Sequence, residues 1–144
     1  MPIRKMKESD LEQVLAIQQE LAFQDWNEKQ FLSEIHASYA YCTVYEDCSG
    51  KILGYAIFHL MGSDSELLSI ATVESSQRKG IGAELLSSGL ERLDFSGGDQ
   101  IFLEVREGNA KAKMFYEKHG FEAYHTRLKY YSDGENAILY KKSK

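Results

Sequence analysis

The stretch SSQRKGIGAEL, residues 75–85, decides the fold. It places Arg78 and Lys79 directly before Gly80, Gly82 and an apolar run with helical spacing. A helix N-terminus carries partial positive charge, so two cations there oppose the helix dipole unless an anion binds. The whole chain has a net charge of -5, which makes this basic cluster a local feature. We therefore predict an anion-binding helix start, since free N–H groups at such a position suit a phosphate.

Two common phosphate loops do not fit this stretch. No Gly-Lys-Ser/Thr follows, as a Walker A loop requires, and the Gly-x-Gly-x-x-Gly spacing of dinucleotide-binding folds is missing. The alternative to an anion site is a solvated basic turn before a helix.

Composition restricts the class of protein. The 144 residues are 43% apolar and 27% charged, which suits one folded domain over residues 1–144. A pI near 5.4 argues against nucleic acid as a partner. Apolar runs are far shorter than the ~20 residues that cross a bilayer, and no apolar leader is visible, so we expect no membrane contact.

The cysteines and histidines indicate a reducing compartment and no metal site. Cys42 and Cys48 do not make a disulfide framework, so we expect reduced, buried or half-buried thiols and a cytoplasmic protein. Two cysteines and four histidines without ligand spacing do not predict a zinc site.

Hydrophobic periodicity predicts the element order β-α-α-β-β-β-α-β-α-β-β, a mixed α/β sheet with helices on its faces. The last hairpin is predicted from FEAYHTRLKYY (121–131) and NAILYKK (136–142), joined across SDGE. Residues predicted to fix helix ends are Ser9 with Glu12 as a capping box, Asn27, Asn109 and Gly120.

Two blocks of sequence resemble one known family. QRKGIGAELL resembles the acyl-CoA loop of the GNAT N-acetyltransferases, with the pattern Gln/Arg-x-x-Gly-x-Gly/Ala. The second block, FLEVREGNAKAKMFYEKHGFEAYHTRLKYY, resembles the RimI-type branch, the ribosomal-protein alanine N-acetyltransferases, as do YYSDGENAILYKK and DWNEKQF. The resemblance implies the GNAT fold, a mixed, mostly antiparallel central sheet of about seven strands flanked by four helices.

One departure from the family is visible. Where the family usually has Asp-Pro after the central strand, this chain has Val73-Glu74-Ser75. Because proline restricts the backbone, we expect its absence to leave the start of the loop less rigid.

The resemblance implies acetyl-CoA as a co-substrate. In the family, the backbone at the end of the central strand pairs with the pantetheine arm, and an N–H there polarises the thioester carbonyl. For Ile70, Ala71 and Thr72, the alternative to a cofactor contact is a place in an ordinary core strand. For Asn109, the alternative is a helix cap without a cofactor contact. The positions implied to contact acetyl-CoA are Ile70, Ala71, Thr72, Val73, Arg78, Lys79, Gly80, Ile81, Gly82, Ala83, Asn109 and Tyr116.

The resemblance also assigns the proton transfers. Glu104 lies in an apolar strand, where an acid is costly to bury unless it has a partner. The resemblance makes it the general base that accepts the amine proton through water; the alternative is an ion pair with Arg106 or another cation. Tyr116 is implied as the general acid for the departing thiolate, and the alternative is an aromatic core residue.

The resemblance implies a protein N-terminus as acceptor, namely the N-terminal alanine of a small-subunit ribosomal protein, and physical chemistry independently favours an α-amine. An α-amine has a pKa of about 7.7–8 and a lysine about 10.4, so neutralising lysine near pH 7 costs roughly 3 kcal/mol more. By resemblance, Trp26, Tyr130 and Tyr131 flank the peptide entrance, and the alternative role of these three residues is core packing. We expect a monomer or weak dimer.

Three other functions stay open at this point. The first alternative is an acetyltransferase for a lysine side chain or a free small amine. The second is a non-catalytic acyl-CoA-binding module, and the third is a subunit that takes its specificity from a partner.

Overall fold

The structure is a computed structural model that describes residues 2–22 and 26–144. Its four α-helices among these residues are α1 (Leu11–Leu21), α2 (Glu28–His36), α3 (Ile81–Leu90) and α4 (Ala110–Lys118). Its seven strands are β1 (Ile3–Lys5), β2 (Ala40–Glu46), β3 (Ile52–His59), β4 (Ser65–Thr72), β5 (Ile101–Arg106), β6 (Glu122–Arg127) and β7 (Ala137–Lys142). The element order predicted from the sequence is confirmed.

The strands form one mixed sheet in the order β1-β2-β3-β4-β5-β7-β6. The pairs β1/β2, β2/β3, β5/β7 and β6/β7 are antiparallel. The pair β4/β5 is parallel, with Ser65 opposite Ile101 and Glu66 opposite Phe102. The predicted fold class, a mostly antiparallel sheet of seven strands with four helices, is confirmed.

The chain divides into two compact units. The first comprises Met1–Leu60 and Leu67–Arg92, and the second comprises Met61–Glu66 and Leu93–Lys144. The prediction of one domain over the whole chain stays a prediction. No helix of the described ranges is long and apolar enough to span a bilayer.

The core of the first unit lies around β3, whose interior residues are almost all buried. Gly54 allows the close packing there, because an added Cβ would lie 2.7 Å from the Ala71 carbonyl oxygen and 3.0 Å from Leu85 Cδ1. The end of β4 and the helix α3 are therefore held tightly against β3. This packing fixes the loop that joins them.

The core of the second unit follows the alternation of β5. Ile101, Leu103 and Val105 are buried, while Phe102, Glu104 and Arg106 face the other side and are partly or fully exposed. The Tyr140 hydroxyl, on the buried face of β7, donates a hydrogen bond of 2.8 Å to Glu117 of α4.

The predicted capping box of α1 is wrong. A 3₁₀ turn over Glu8–Asp10 precedes the helix, and no side chain caps α1. The Asp10 carboxylate instead accepts the Lys7 N–H at 2.7 Å and two hydrogen bonds of 2.8 Å from Arg4. Because Asp10 is held by this ion pair, the helix begins at Leu11, beyond Ser9.

The predicted extent of β6 is also wrong. The strand ends at Arg127, and residues 128–136 form a connection in which Lys129 has φ 51° and Gly134 has φ 89°. The Asn136 side chain accepts the Lys129 N–H at 2.8 Å, and Tyr131 N–H donates to Glu135 O at 3.1 Å. These local hydrogen bonds replace the ladder, so the apolar run LKYY does not continue the strand.

Candidate active site

The end of β4 directs its backbone groups in two directions. Val73 N–H donates to Leu53 O on β3 at 2.8 Å, so it is committed to the sheet. By strand alternation, the N–H groups of Ile70 and Thr72 point to the opposite edge of β4. Among the four positions implied for the pantetheine arm, Val73 therefore cannot offer its N–H to a thioester carbonyl.

The start of the loop after β4 is well fixed, contrary to the expectation of a less rigid segment. The Glu74 N–H donates to a Glu20 carboxylate oxygen at 3.0 Å, and Ser76 N–H donates to Val73 O at 3.0 Å. The Gln77 side-chain amide donates to Thr72 O at 3.1 Å. Hydrogen bonds thus do what a proline does in the family pattern.

The loop conformation presents the N-terminus of α3. Arg78 and Gly80 both adopt left-handed backbone conformations, with φ 68° and 83°. The first intrahelical bond runs from Glu84 N–H to Gly80 O at 3.0 Å, and no side chain caps the helix. The first N–H groups of α3 therefore lack intrahelical acceptors and, with the dipole, suit an anion.

The residues of this loop fit the pyrophosphate of coenzyme A. A Cβ added at Gly80 would meet nothing within 4 Å, so the approach to the helix start is open. Arg78 and Lys79 are exposed beside it. Lys79 also lines a cleft of about 340 Å³ together with Glu46 and Asp47 of the β2–β3 hairpin.

Glu104 is exposed on the face of β5 opposite Leu103 and Val105, so it avoids the cost of burying an acid. Its side chain retains 40% of its accessible surface and lies 3.9 Å from an Arg127 guanidinium nitrogen. A hydrogen bond to the Glu104 carboxylate raises the pKa of the Tyr130 hydroxyl. The ion pair predicted as the alternative role of Glu104 therefore exists with Arg127.

Arg106, the cation named as a possible partner of Glu104, has other partners. Its guanidinium donates to Asp133 at 2.9 Å and to Glu135 at 3.0 Å. It also lies over the Tyr131 ring at 4.0 Å from the centroid, a cation–π contact. Arg106 thereby fixes the β6–β7 connection.

Two tyrosines and two arginines surround Glu104. The Tyr130 and Tyr131 rings meet edge to face at 5.1 Å, and Arg127 lies 5.5 Å from the Tyr130 ring centroid. Tyr130 is exposed and Tyr131 half-buried. We call this set, which comprises Glu104, Arg106, Arg127, Tyr130 and Tyr131, the Glu104 cluster.

Tyr116 is a buried residue of α4. Its ring packs against Phe115 at 5.2 Å and Phe121 at 5.6 Å, both nearly edge to face. Burial raises the pKa of its hydroxyl, so the phenol is protonated at neutral pH. This environment is compatible with both predicted roles, a core aromatic residue and a proton donor.

Asn109 caps α4, as predicted. Its side-chain oxygen accepts the Ala112 N–H at 3.0 Å. In the same way, the Asn27 oxygen accepts the Gln30 N–H of α2 at 2.8 Å. Both helix starts satisfy their own N–H groups from within the chain, unlike that of α3.

Trp26 packs on the core. Its ring centroid lies 5.1 Å from that of buried Phe31, and its backbone N–H and O both bond to the Gln18 side chain. This contact corresponds to the core-packing alternative, and the substrate role of Trp26 stays a prediction. Asp25 of the DWNEKQF block lies outside the described residues.

The cysteines differ from each other. Cys42 is buried, and this burial raises the pKa of its thiol to about 12, so the thiolate is not populated near neutral pH. Cys48 is exposed at the β2–β3 turn, so the expected burial of both thiols is wrong. Within the described ranges, no group of His, Cys, Asp and Glu side chains is arranged to hold a metal.

Two site residues were missed in the sequence. Gln77 begins the Gln/Arg-x-x-Gly pattern, and its hydrogen bond to Thr72 shows why an amide suits that position. Arg127 gave no local signal, because it reaches Glu104 across strands that are distant in the chain.

Comparison with known proteins defines the class. The sequence pattern of the Acetyltransferase (GNAT) family matches residues 4–121, and the chain belongs to this family of acetyl-CoA-dependent acetyltransferases. The predicted resemblance is thereby confirmed at the level of the family.

Three relatives make the likeness more specific. An uncharacterized N-acetyltransferase of Methanocaldococcus jannaschii is 32% identical over 100% of this chain and 92% of its own length. The [ribosomal protein bS18]-alanine N-acetyltransferase of Escherichia coli K12 is 32% identical, over 95% of this chain and 93% of its own. An N-alpha-acetyltransferase of Sulfurisphaera tokodaii is 28% identical, over 95% and 89%.

The likeness extends to three dimensions. The crystal structure of the ribosomal-protein-S18-alanine N-acetyltransferase from Escherichia coli superimposes with a TM-score of 0.84 at 30% identity, covering 97% of this chain and 91% of that one. The similarity to the RimI-type branch therefore holds in sequence and in structure.

Proposed function

We propose that this acetyltransferase acts on protein N-terminal α-amines, with the N-terminal alanine of a small-subunit ribosomal protein as acceptor. The observation that carries the proposal is the likeness, over 95% of the chain, to an enzyme named for alanine of ribosomal protein bS18. The relative named as an N-alpha-acetyltransferase supports the same kind of amine.

The proposed acetyl-CoA contacts use mainly the backbone. The N–H groups of Ile81, Gly82 and Ala83 would bind the pyrophosphate, since α3 begins without a side-chain cap. Arg78 and Lys79 would add charge there. The β4 edge at Ile70–Thr72 would pair with the pantetheine arm, and the Asn109 amide and Tyr116 would complete the contacts implied by the family. The Val73 N–H would not take part, because it is bonded to Leu53 O. Bound acetyl-CoA supplies the activated acetyl thioester.

Glu104 is the proposed general base. The amine must lose a proton before it can attack, and a carboxylate open to solvent can accept that proton through water. The Arg127 guanidinium lies 3.9 Å from this carboxylate, and Tyr130 is placed to orient it by a hydrogen bond.

Tyr116 is the proposed general acid. Burial keeps its phenol protonated, and the departing thiolate needs a proton to become a thiol. The transfer is direct, within a ternary complex, so no nucleophilic cysteine is required.

The preference for an α-amine follows from the environment of Glu104. Near pH 7, a lysine side chain costs roughly 3 kcal/mol more to neutralise than an α-amine. A carboxylate becomes a stronger base when burial raises its pKa. An exposed, ion-paired carboxylate suits the easier task. Tyr130, Tyr131 and Trp26 are the proposed walls of the acceptor site.

Two peptides test the proposal. One has a free N-terminal alanine and no lysine, and the other has a blocked N-terminus and one internal lysine. CoA release with the first peptide alone is expected. Release with the second alone would replace the proposal by a lysine acetyltransferase, and CoA binding without turnover on either would favour a small-amine enzyme, a missing partner or a binding module.

With this function go three further proposals. Residues 1–144 form a single acetyltransferase domain, the protein works in the cytoplasm where ribosomal proteins are made, and it acts as a monomer or weak dimer.

A further inference from the structure

Glu20 makes a hydrogen bond that the family pattern does not account for. Its carboxylate oxygen accepts the Glu74 N–H at 3.0 Å, joining α1 to the loop after β4. Glu74 begins the 3₁₀ turn Glu74–Ser76, the first structure after β4. The bond thus fixes the loop at the residue where it leaves the sheet.

An acid at this position is unfavourable for α1 itself. Glu20 lies in the last turn of the helix, and the last turn contains no basic residue. Negative charge near a helix C-terminus opposes the helix dipole. The charge-assisted bond to Glu74 N–H offsets this cost, because a carboxylate is a strong acceptor.

The loop has reason to need such support. Arg78 has φ 68°, a left-handed backbone conformation that is strained for a residue with a Cβ atom. Proline does not fix the preceding segment, which reads Val73-Glu74-Ser75. The strained turn must therefore be held by tertiary hydrogen bonds.

The described hydrogen bonds that hold this segment have different sources. Val73 is tied to β3 through Leu53, and Gln77 is tied back to Thr72 at the end of β4. The Glu20 bond ties the segment to a helix instead of to the sheet. Loss of this bond would free the Glu74 N–H, while the two sheet-side bonds and the Gln77 N–H bond to Glu74 O stay in place.

We propose that Glu20 is a positioning residue for acetyl-CoA binding: it holds the loop in the conformation that presents the N-terminus of α3. It does not contact the substrate. The inference rests on the proposed function only in taking coenzyme A as the anion that binds there.

The test compares Glu20→Ala and Glu20→Gln with Glu12→Ala, which removes an exposed carboxylate from the other end of α1. Calorimetry with CoA should give a dissociation constant about three- to tenfold higher for Glu20→Ala, the value of one hydrogen bond. Glu20→Gln should stay near wild type, because its amide oxygen still accepts the bond. Glu12→Ala should match wild type.

Kinetics and hydrogen exchange separate positioning from general destabilisation. In Glu20→Ala, KM for acetyl-CoA should rise while kcat and KM for the peptide stay within about twofold. The reason is that the lost Glu20–Glu74 hydrogen bond supports the acetyl-CoA site and not the reacting groups. Amide exchange should accelerate at residues 74–80 and not in β5.

The outcomes are distinct. Equal CoA affinity in Glu20→Ala and Glu12→Ala would overturn the inference, and so would a Glu20→Gln variant as weak as Glu20→Ala. Wild-type protein that binds CoA without turning over either peptide would overturn the proposed function alone. Failure of the wild type to bind CoA would overturn both.

Discussion

The loop proposed to bind acetyl-CoA, residues 73–83 (the acyl-CoA loop), and the Glu104 cluster are built from different parts of the chain. The loop depends on the main chain: two left-handed residues, carbonyl acceptors and uncapped N–H groups. The cluster depends on charged and aromatic side chains from β5, β6 and the β6–β7 connection. Substitutions in the loop should therefore change cofactor affinity through conformation, and substitutions in the cluster should change turnover through charge.

The largest effect is expected from Glu104→Gln. The amide keeps the shape but cannot accept the amine proton, so kcat should fall about 10²–10⁴-fold. CoA affinity, measured by calorimetry, should not change. Glu122→Gln serves as the matched control, because it makes the same change at an exposed carboxylate outside the Glu104 cluster, and its kcat should match wild type.

Turnover in Glu104→Gln equal to wild type would remove the carboxylate as base. A loss of CoA affinity in that variant would contradict the proposal that the loop determines cofactor affinity and the cluster determines turnover.

A smaller loss of turnover is expected from Tyr116→Phe. The ring packing against Phe115 and Phe121 stays, so the fold should be intact. A thiol has a pKa near 8.5, so the thiolate is a good leaving group and depends only partly on a proton donor. We therefore expect kcat to fall about hundredfold, the low end for acid catalysis. Single-turnover kinetics with peptide would measure it, and an unchanged rate would leave Tyr116 as a core residue.

The glycines of the loop test its dependence on backbone conformation. Gly80→Ala puts a side chain at φ 83°, which costs roughly 1–2 kcal/mol, so CoA affinity should fall about tenfold and the melting temperature should drop. Gly82 is helical, and alanine there favours the helix by up to about 1 kcal/mol.

Gly82→Ala should therefore raise the melting temperature while weakening CoA binding if the backbone approaches the ligand. Calorimetry and thermal denaturation of both variants measure this contrast. CoA binding unaffected by Gly80→Ala would refute the requirement for a left-handed residue.

The smallest effect is expected at Asn109. Asn109→Ala removes the helix cap and should cost about 1 kcal/mol of unfolding free energy, measured in urea. Asn109→Ser keeps a capping oxygen but lacks the amide donor, so it should preserve stability and weaken CoA binding about threefold, the value of one hydrogen bond. Wild-type CoA affinity in the serine variant would restrict Asn109 to capping.

The sequence was sufficient for the fold because the informative signals are local. Periodicity gave the order of elements, and Asn27 and Asn109 cap the helices that follow them. The capping box at Ser9 failed because Arg4 draws Asp10 into an ion pair, an interaction between elements that no local pattern reveals.

The acyl-CoA loop was easier to predict than the Glu104 cluster. Glycine spacing describes a backbone conformation within a few residues, and Gly80 has that conformation. The partner of Glu104 depends on strand register, which brings Arg127 close and sends Arg106 to Asp133 and Glu135. The β6–β7 connection is irregular because its hydrogen bonds are local, and they come partly from side chains such as Asn136 that a strand pattern does not consider.

The end of the sheet at β6 has a consequence for the behaviour of the protein at high concentration. All six residues of this strand are exposed, and the register shifts between Ala123 and His125. A bulge and charged side chains such as Glu122 and Arg127 make an edge strand a poor template for another chain. The protein should therefore resist edge-to-edge aggregation during expression and purification, even though one side of β6 offers backbone groups to any approaching strand.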